Sequence, residues 1–239
     1  SAIADVVSGK LIGTGDPRVD DIYIDTRKPA PTNGLFIALK GPRFDAHQFV
    51  EDAVENGAVA GLVSEADRIE TDAPLIEVED TTRALQHLAK WWRQQFNMPI
   101  IGITGSNGKT IVKEMLAGIL GREYTIHRSP RSFNSQIGVH LSLLGLRQQH
   151  DLAIIEAGIS ETGEMDLLAE MIDPDYGILT NIGSAHARGL GDLETTAEEK
   201  LKLFKKLESD GWLIRPSELH PLKDATFFDV AEPQRVPDN

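Results

Sequence analysis

The chain has 239 residues, 41% of them hydrophobic, which is enough for two modest cores by ordinary domain-size scaling. Twenty-four basic against thirty-seven acidic residues give a formal charge of −13, which argues against non-specific binding to nucleic acid or to an acidic membrane, so an anionic ligand must be held by local chemistry. Cysteine is absent, which excludes disulfides and thiolate metal sites; with neither a membrane-length apolar run nor a signal-peptide pattern, a soluble cytoplasmic protein without membrane insertion is expected.

Residues 1 to about 80 read as a small α/β unit. Its β-rich runs are IYI at 22–24, LFIAL at 35–39, AGLV at 60–63 and LIEV at 75–78. Pro29, Pro31 and Asn33–Gly34 mark a loop between the first two. HQFVEDAVENGA at 47–58 places Phe49, Ala53 and Val54 on one helical face. The stretch at 80–97 predicts a helix starting at Asp80, with Leu85, Leu88, Ala89 and Trp92 at helical spacing, before Pro99 breaks the chain. A boundary near 97–99 therefore separates residues 1–97 from 98–239.

Beyond it the pattern becomes repeated β–α. Strands are expected at 100–104, 124–127, 152–155, 176–182 and 212–214, with helices at 110–120, 136–146, 164–172 and 195–208. Strands that read as continuous apolar runs between helices imply a parallel sheet covered on both faces, so the chain is expected to be α/β. Ligands of such sheets sit at the carboxyl ends of the strands.

The first strand end carries TGSNGKT at 104–110, a glycine-spaced loop running straight into a helical pattern. Gly105 and Gly108 can take backbone angles that other residues resist, letting the N–H groups of the Ser106–Asn107 turn face one anion at the positive end of a helix. Lys109 supplies a point charge for terminal phosphates, and the Thr110 hydroxyl is placed to hold magnesium. Ile103 stands where the strict Walker spacing has glycine, so this is a variant loop.

Two further strand ends offer candidate groups. Glu156 follows LAII and could bind magnesium directly or through water; the plainer alternative is a capping or solvated acid. His186 follows TNIGSA; a lone histidine is more often structural than a ligand, and its position beside two other phosphate-and-metal candidates is what raises the functional reading. Lys200 shares the inward face of its helix with Leu203, Phe204 and Leu207, while Lys202, Lys205 and Lys206 point elsewhere. Either its stem packs while the ammonium snorkels to solvent, or it is a functional lysine of depressed pKa, able to become a carbamate and so a metal ligand.

Four ordered motifs together resemble the Mur ligase family, the ATP-dependent amide-forming enzymes of peptidoglycan synthesis. They are TGSNGKT, RSFNSQIGVHLSLL ending at Leu144, IIEAGISETGEM around Glu156, and TNIGSAH ending at His186. EAG followed by GEM favours the branch that adds D-alanyl-D-alanine to UDP-N-acetylmuramoyl-tripeptide, and SPRSFNSQIG with EEKLKLF is similar to bacteroidete-type members, some of them fused to an alanine racemase that has no counterpart here. DTRKPAPTNGLFIALKGPRFDAHQF at 25–49 resembles the family's uridine-nucleotide-binding domain.

The resemblance implies ATP and Mg2+ as cofactors, with UDP-N-acetylmuramoyl-tripeptide and D-alanyl-D-alanine as partners. It implies that Thr26, Arg27, Lys40, Gly41 and Asp45 hold the UDP-sugar, and that Gly105, Ser106, Asn107, Gly108, Lys109 and Thr110 hold ATP. Asn134 and Asn181 would contact nucleotide or metal-bound water. Thr110 and Glu156 would carry one magnesium, His186 and carbamoylated Lys200 a second, and Lys109, His186 and Lys200 would be the catalytic set. Ile111 and His140 depart from the family pattern, where a hydroxyl residue and a proline are frequent. A complete ligase of this kind has a further C-terminal domain with no match here, so a truncated chain that turns over poorly alone is expected. A folylpolyglutamate-synthase-like ligase and a non-catalytic nucleotide-binding module are the competing readings.

Overall fold

The computed structural model describes residues 2–42, 44–183, 190, 192–207, 211–215 and 227–229. It divides into two compact units, Ser1–Gln95 and Phe96–Asn239.

The first unit contains helix α1 (Ala2–Val7), strands β1 (Lys10–Ile12), β2 (Asp21–Tyr23), β3 (Gly34–Ile37), β4 (Lys40–Gly41) and β5 (Phe44–Asp45), helix α2 (Val50–Glu55), strands β6 (Ala60–Val63) and β7 (Leu75–Glu77), and helix α3 (Thr81–Arg93). Five strands form one sheet in the order β1-β7-β6-β3-β2, parallel except for β1 against β7. Every residue of the central strands β3 and β6 is buried, which is why both read as unbroken apolar runs. The antiparallel pair β4–β5 stands apart as a small hairpin. Strands as short and exposed as β1, β4 and β5 carry no periodic signal, and the sequence did not predict them.

Two predicted helices are shorter than expected. The stretch at 47–58 becomes a 3-10 turn at Ala46–Phe49 followed by α2, which stops before Gly57 takes a left-handed φ of 106°. The predicted helix at 80–97 ends at Arg93, with Asp80 as its cap, accepting the N–H groups of Thr82 at 2.8 Å and Arg83 at 3.0 Å.

The second unit runs β8 (Ile100–Thr104), α4 (Lys109–Leu120), β9 (Ile126–Arg128), α5 (Gln136–Leu144), β10 (Leu152–Glu156), α6 (Glu164–Ile172), β11 (Tyr176–Leu179), α7 (Leu193–Leu201), β12 (Leu213–Arg215) and β13 (Phe227–Asp229). All six strands are parallel, in the order β13-β12-β11-β8-β10-β9. The phosphate-loop strand β8 is therefore central, and its neighbours β10 and β11 deliver Glu156 and Thr180 to the same edge of the sheet. β13 was not foreseen, and β11 stops at Leu179 rather than 182 because the chain from Thr180 turns to bond the loop after β8.

The helix predicted over 195–208 is instead α7 followed by a 3-10 turn at Lys202–Phe204. That turn lies against two side-by-side glycines, Gly102 and Gly177: a Cβ on the first would meet Pro174 and Leu203, and on the second the Phe204 ring. No helix among the described residues is long and apolar enough to cross a membrane.

Candidate functional site

The loop after β8 is shaped by two glycines in conformations other residues resist. Gly105 has φ 139°, and a Cβ there would lie 2.1 Å from the Thr180 hydroxyl; Gly108 has φ 81° and begins α4 with no side-chain cap. The first N–H groups of α4 have no intrahelical acceptor, so the helix presents its positive end at the mouth of the loop. Behind the loop, the segment after β11 holds it in place. The Asn181 carbonyl accepts the Ser106 N–H at 2.9 Å, the Asn181 side-chain oxygen accepts the Asn107 N–H at 2.8 Å, and the Thr180 hydroxyl donates to the Asn107 carbonyl at 2.5 Å. Ser106 is tied further by its hydroxyl to the Gly183 carbonyl at 3.1 Å.

Glu156, the last residue of β10, is fully buried. The Thr110 hydroxyl donates to its carboxylate, 2.9 Å from Oε2, and the Asn134 amide donates to Oε1 at 2.7 Å. A solvated or helix-capping acid is thereby excluded. Asn134 and Asn181, expected to reach nucleotide or metal-bound water, each bond one of the protein's own groups, Asn134 the Glu156 carboxylate and Asn181 the Asn107 N–H. Lys109 donates to the Gly105 carbonyl at 2.8 Å; burial holds its ammonium below the usual lysine range, and the Glu156 charge acts in the opposite sense.

Lys200 does not snorkel. It is fully buried, and among the described residues its ammonium has no hydrogen-bond partner. Burial pushes its pKa down to about 8, and the positive charge of Lys109 pushes the same way, which places the two lysines within electrostatic reach. Its neighbours along the chain are differently employed: Lys202, in the following 3-10 turn, meets Glu199 at 2.5 Å and Asp166 at 2.8 Å, and Glu199 accepts the Gly163 N–H at 2.9 Å. His186 lies outside the described residues.

These groups fit a nucleotide triphosphate with a hard divalent cation. Two left-handed glycines and an uncapped helix start supply the phosphate cradle, and a hydroxyl in contact with a buried carboxylate supplies oxygen donors. Among the described residues no three His, Asp or Glu side chains gather where they could hold a metal. A cation at Thr110 and Glu156 would therefore complete its shell with phosphate oxygens and water.

Sequence reasoning missed Lys113 and Ser129. Lys113 is fully buried on α4, 3.5 Å from Glu156 Oε2, and the Ser129 hydroxyl accepts the Glu156 N–H at 3.0 Å. The signal was available, because Leu116, Ala117 and Leu120 follow Lys113 at i+3, i+4 and i+7, the same inward spacing that singled out Lys200.

In the first unit the five expected substrate residues fall into two groups. Thr26 and Arg27 line a cavity of about 370 Å³ with Asp25, Phe36, Phe44 and Phe49. Phe44 is 56% exposed and stacks on Phe49 with ring centroids 5.9 Å apart, offering an aromatic wall. Arg27 is forked onto Asp25 at 2.8 Å. Lys40, Gly41 and Asp45 sit instead on the β4–β5 hairpin, where Lys40 meets Glu65 at 2.5 Å and Asp45 at 3.2 Å. Asp45 also bonds His47 Nδ1 at 2.6 Å, and with the backbone N–H of His47 and the Lys40 ammonium it is held well below the usual carboxylate range, at about 2.

Comparison with known proteins accords with this geometry. The chain is 42% identical to UDP-N-acetylmuramoyl-tripeptide--D-alanyl-D-alanine ligase of Bacillus subtilis over 221 residues, covering 89% of this chain and 47% of that protein. The crystal structure of MurF from Acinetobacter baumannii superposes with a TM-score of 0.82 at 31% identity, covering 90% of this chain and 48% of that one. MurF ligase from Thermotoga maritima in complex with ADP superposes with a TM-score of 0.72 at 28% identity, covering 83% and 46%. The chain thus spans about half the length of the relatives it matches. Residues 103–225, just over half of the chain and including the whole phosphate loop and Glu156, match the Mur ligase middle domain, and the chain belongs to the Mur ligase family.

Proposed function

We propose that this chain supplies the UDP-precursor-binding unit and the nucleotide-binding unit of an ATP-dependent ligase that joins D-alanyl-D-alanine to UDP-N-acetylmuramoyl-tripeptide. The observation that carries the reading is the Thr110 hydroxyl against the buried Glu156 carboxylate, 2.9 Å apart, beside Lys109 at an uncapped glycine loop. That arrangement suits phosphoryl transfer, which asks of a protein mainly positioning and charge neutralisation.

In the proposed reaction the γ-phosphoryl of ATP passes to the terminal carboxylate of the tripeptide. The amine of D-alanyl-D-alanine then attacks the acyl phosphate, giving the amide, ADP and inorganic phosphate. The loop N–H groups and Lys109 bind the phosphates, and Lys109 offsets the charge that grows on the transferring group. Thr110 and Glu156 would hold Mg2+, which when bound neutralises phosphate charge. Lys200, its pKa lowered to about 8 and without a hydrogen-bond partner among the described residues, has a larger free-amine fraction than an ordinary lysine; that amine can add CO2, releasing a proton, to give a carbamate that with His186 would serve a second cation. Asn134 and Asn181 position Glu156 and the loop. In the first unit the aromatic cavity suits a uracil ring, with Thr26 and Arg27 towards the diphosphate and the Lys40, Gly41, Asp45 hairpin beside it. Substrates of this kind, ATP and a UDP-linked precursor, belong to the cytoplasm.

Titration calorimetry tests the reading. The 239-residue chain should bind ATP in a magnesium-dependent manner and should bind UDP-N-acetylmuramoyl-tripeptide, the latter weakened by Arg27→Ala, while forming little amide alone. Lys109→Ala in a chain continued past Asn239 should cost several powers of ten in turnover with the fold intact, and a near-normal rate would remove Lys109 from the mechanism. Binding of a folate in place of the UDP precursor would instead mark a folylpolyglutamate-synthase-like enzyme.

A further inference from the structure

Lys113 has no part in the reaction as described, yet its side chain is fully buried one turn along α4 from Lys109. Its ammonium donates to the Ser129 carbonyl at 2.8 Å and to the Arg131 carbonyl, and it stands 3.5 Å from Glu156 Oε2. Glu114 approaches at 3.5 Å from the rim. Arg131 holds a left-handed φ of 50°, a conformation that a residue with a Cβ keeps only when its surroundings enforce it.

The turn that Lys113 grips is also the one that shapes Glu156. Ser129 Oγ accepts the Glu156 N–H at 3.0 Å, the Asn134 amide donates to Glu156 Oε1 at 2.7 Å, and the Asn134 carbonyl accepts the Gly158 N–H at 2.7 Å. Backbone and carboxylate of Glu156 are both set from residues 129–134, and Lys113 fastens that segment to the helix that carries Thr110. Two carbonyls alone would satisfy a neutral donor. An ammonium is the group that also faces a buried carboxylate with a compensating charge.

We propose that Lys113 is a positioning residue, clamping the 129–134 turn to α4 and orienting Glu156 towards Thr110 for the divalent cation. This rests on the nucleotide reading of the loop. Calorimetry of ADP binding to the 239-residue chain, with Mg2+ and with chelator, measures the gain in affinity that magnesium confers. Lys113→Met should leave metal-free ADP binding unchanged and reduce Mg2+ affinity by about tenfold or more, the scale of loss seen when a partner of a metal ligand is removed. In a Glu156→Gln background the same substitution should cost nothing further, since both act through one carboxylate.

Full magnesium gain in Lys113→Met, with the gain lost in Glu156→Gln, would overturn the proposal while leaving the nucleotide reading intact. Absence of any gain in the parent chain would instead defeat the nucleotide reading. Hydrogen exchange without nucleotide reads the clamp independently: the amides of Glu156 and Gly158 should exchange faster in Lys113→Met. If that variant does not fold, Lys113→Met/Glu156→Gln, which removes both buried charges, compared with Glu156→Gln alone gives the same reading. Unaltered exchange at Gly158 there would overturn the clamp.

Discussion

The ring of Phe204 lies so close over Gly177 that a Cβ on the glycine would stand 2.6 Å from the ring. The closeness has a use. It seats the 3-10 turn Lys202–Phe204 on the sheet, and Lys200, one turn earlier, is drawn below the surface with it. Gly177→Ala should therefore destabilise the protein by about 1–3 kcal/mol, the usual cost of overpacking a filled core. Urea unfolding of the variant measures this, and an unchanged midpoint would show that the ring has room to move.

Gly105 is confined on both counts, by its φ of 139° and by the Thr180 hydroxyl where its Cβ would go. Thr180 cannot simply turn away, because the same hydroxyl bonds the Asn107 carbonyl at 2.5 Å. Gly105→Ala should force the loop out of shape at a cost of about 1–3 kcal/mol of local strain, and ADP affinity should fall by about tenfold or more. The central β8 lies outside the affected turn, so cooperative unfolding should persist. Wild-type ADP affinity in this variant would mean that the loop reshapes freely.

How legible this was in the sequence depended on what each residue announces. The parallel sheet and the loop were readable because β8, β10 and β11 are buried on both faces and so carry unbroken apolar runs, and because Gly105 and Gly108 have few other reasons to be spaced around Ser106 and Asn107. Lys200 was readable as inward, but not as buried at its tip, because helical spacing gives the direction of a side chain and not what covers its end. Asn134 and Asn181 are legible as polar groups of their motifs, but their pairing across 22 residues to Glu156 and across 74 to Asn107 is not, because no local spacing encodes it. Lys113 could have been found, since its inward spacing on α4 equals that of Lys200.

Lys200 itself carries a stability consequence. Its pKa of about 8 lies below the ordinary lysine value of 10.5, so the folded state resists the proton that the unfolded state keeps. Unfolding takes up protons between those two values, so stability rises with pH from about 8 to 10.5, and the penalty is fully present below 8. Lys200→Met should consequently raise stability near pH 7, by up to about 3 kcal/mol from a shift of this size. On the proposed function the cost falls on activity: magnesium-dependent amide formation by a chain continued past Asn239 should drop, as happens when a strained polar group at a site is replaced by an apolar one. Denaturation at pH 7 and pH 10 separates the two states, and a variant no more stable than the parent at pH 7 would contradict the buried-amine account.

His140 acts in the same sense over a more acidic window: stability falls on acidification. It is fully buried between α5 and α6, with Nε2 3.0 Å from the Met171 sulfur and, among the described residues, no partner for Nδ1. Burial pushes its pKa down to about 4. The unfolded chain takes up a proton near pH 6.5 that the folded chain refuses until about 4, so the stability gained by keeping the ring neutral is present above 6.5 and lost as pH falls through that window. The full effect is on the order of 3 kcal/mol for one group. His127, also pushed down to about 4 by burial, adds to the same acid loss. His140→Leu removes one titration and leaves an apolar side chain of similar bulk against Met171. It should flatten the stability profile between pH 6.5 and 4, so that the variant gains on the parent as the solution is acidified. Equal slopes for the two proteins across that window would mean that His140 accepts its proton in the folded state as readily as in the unfolded one.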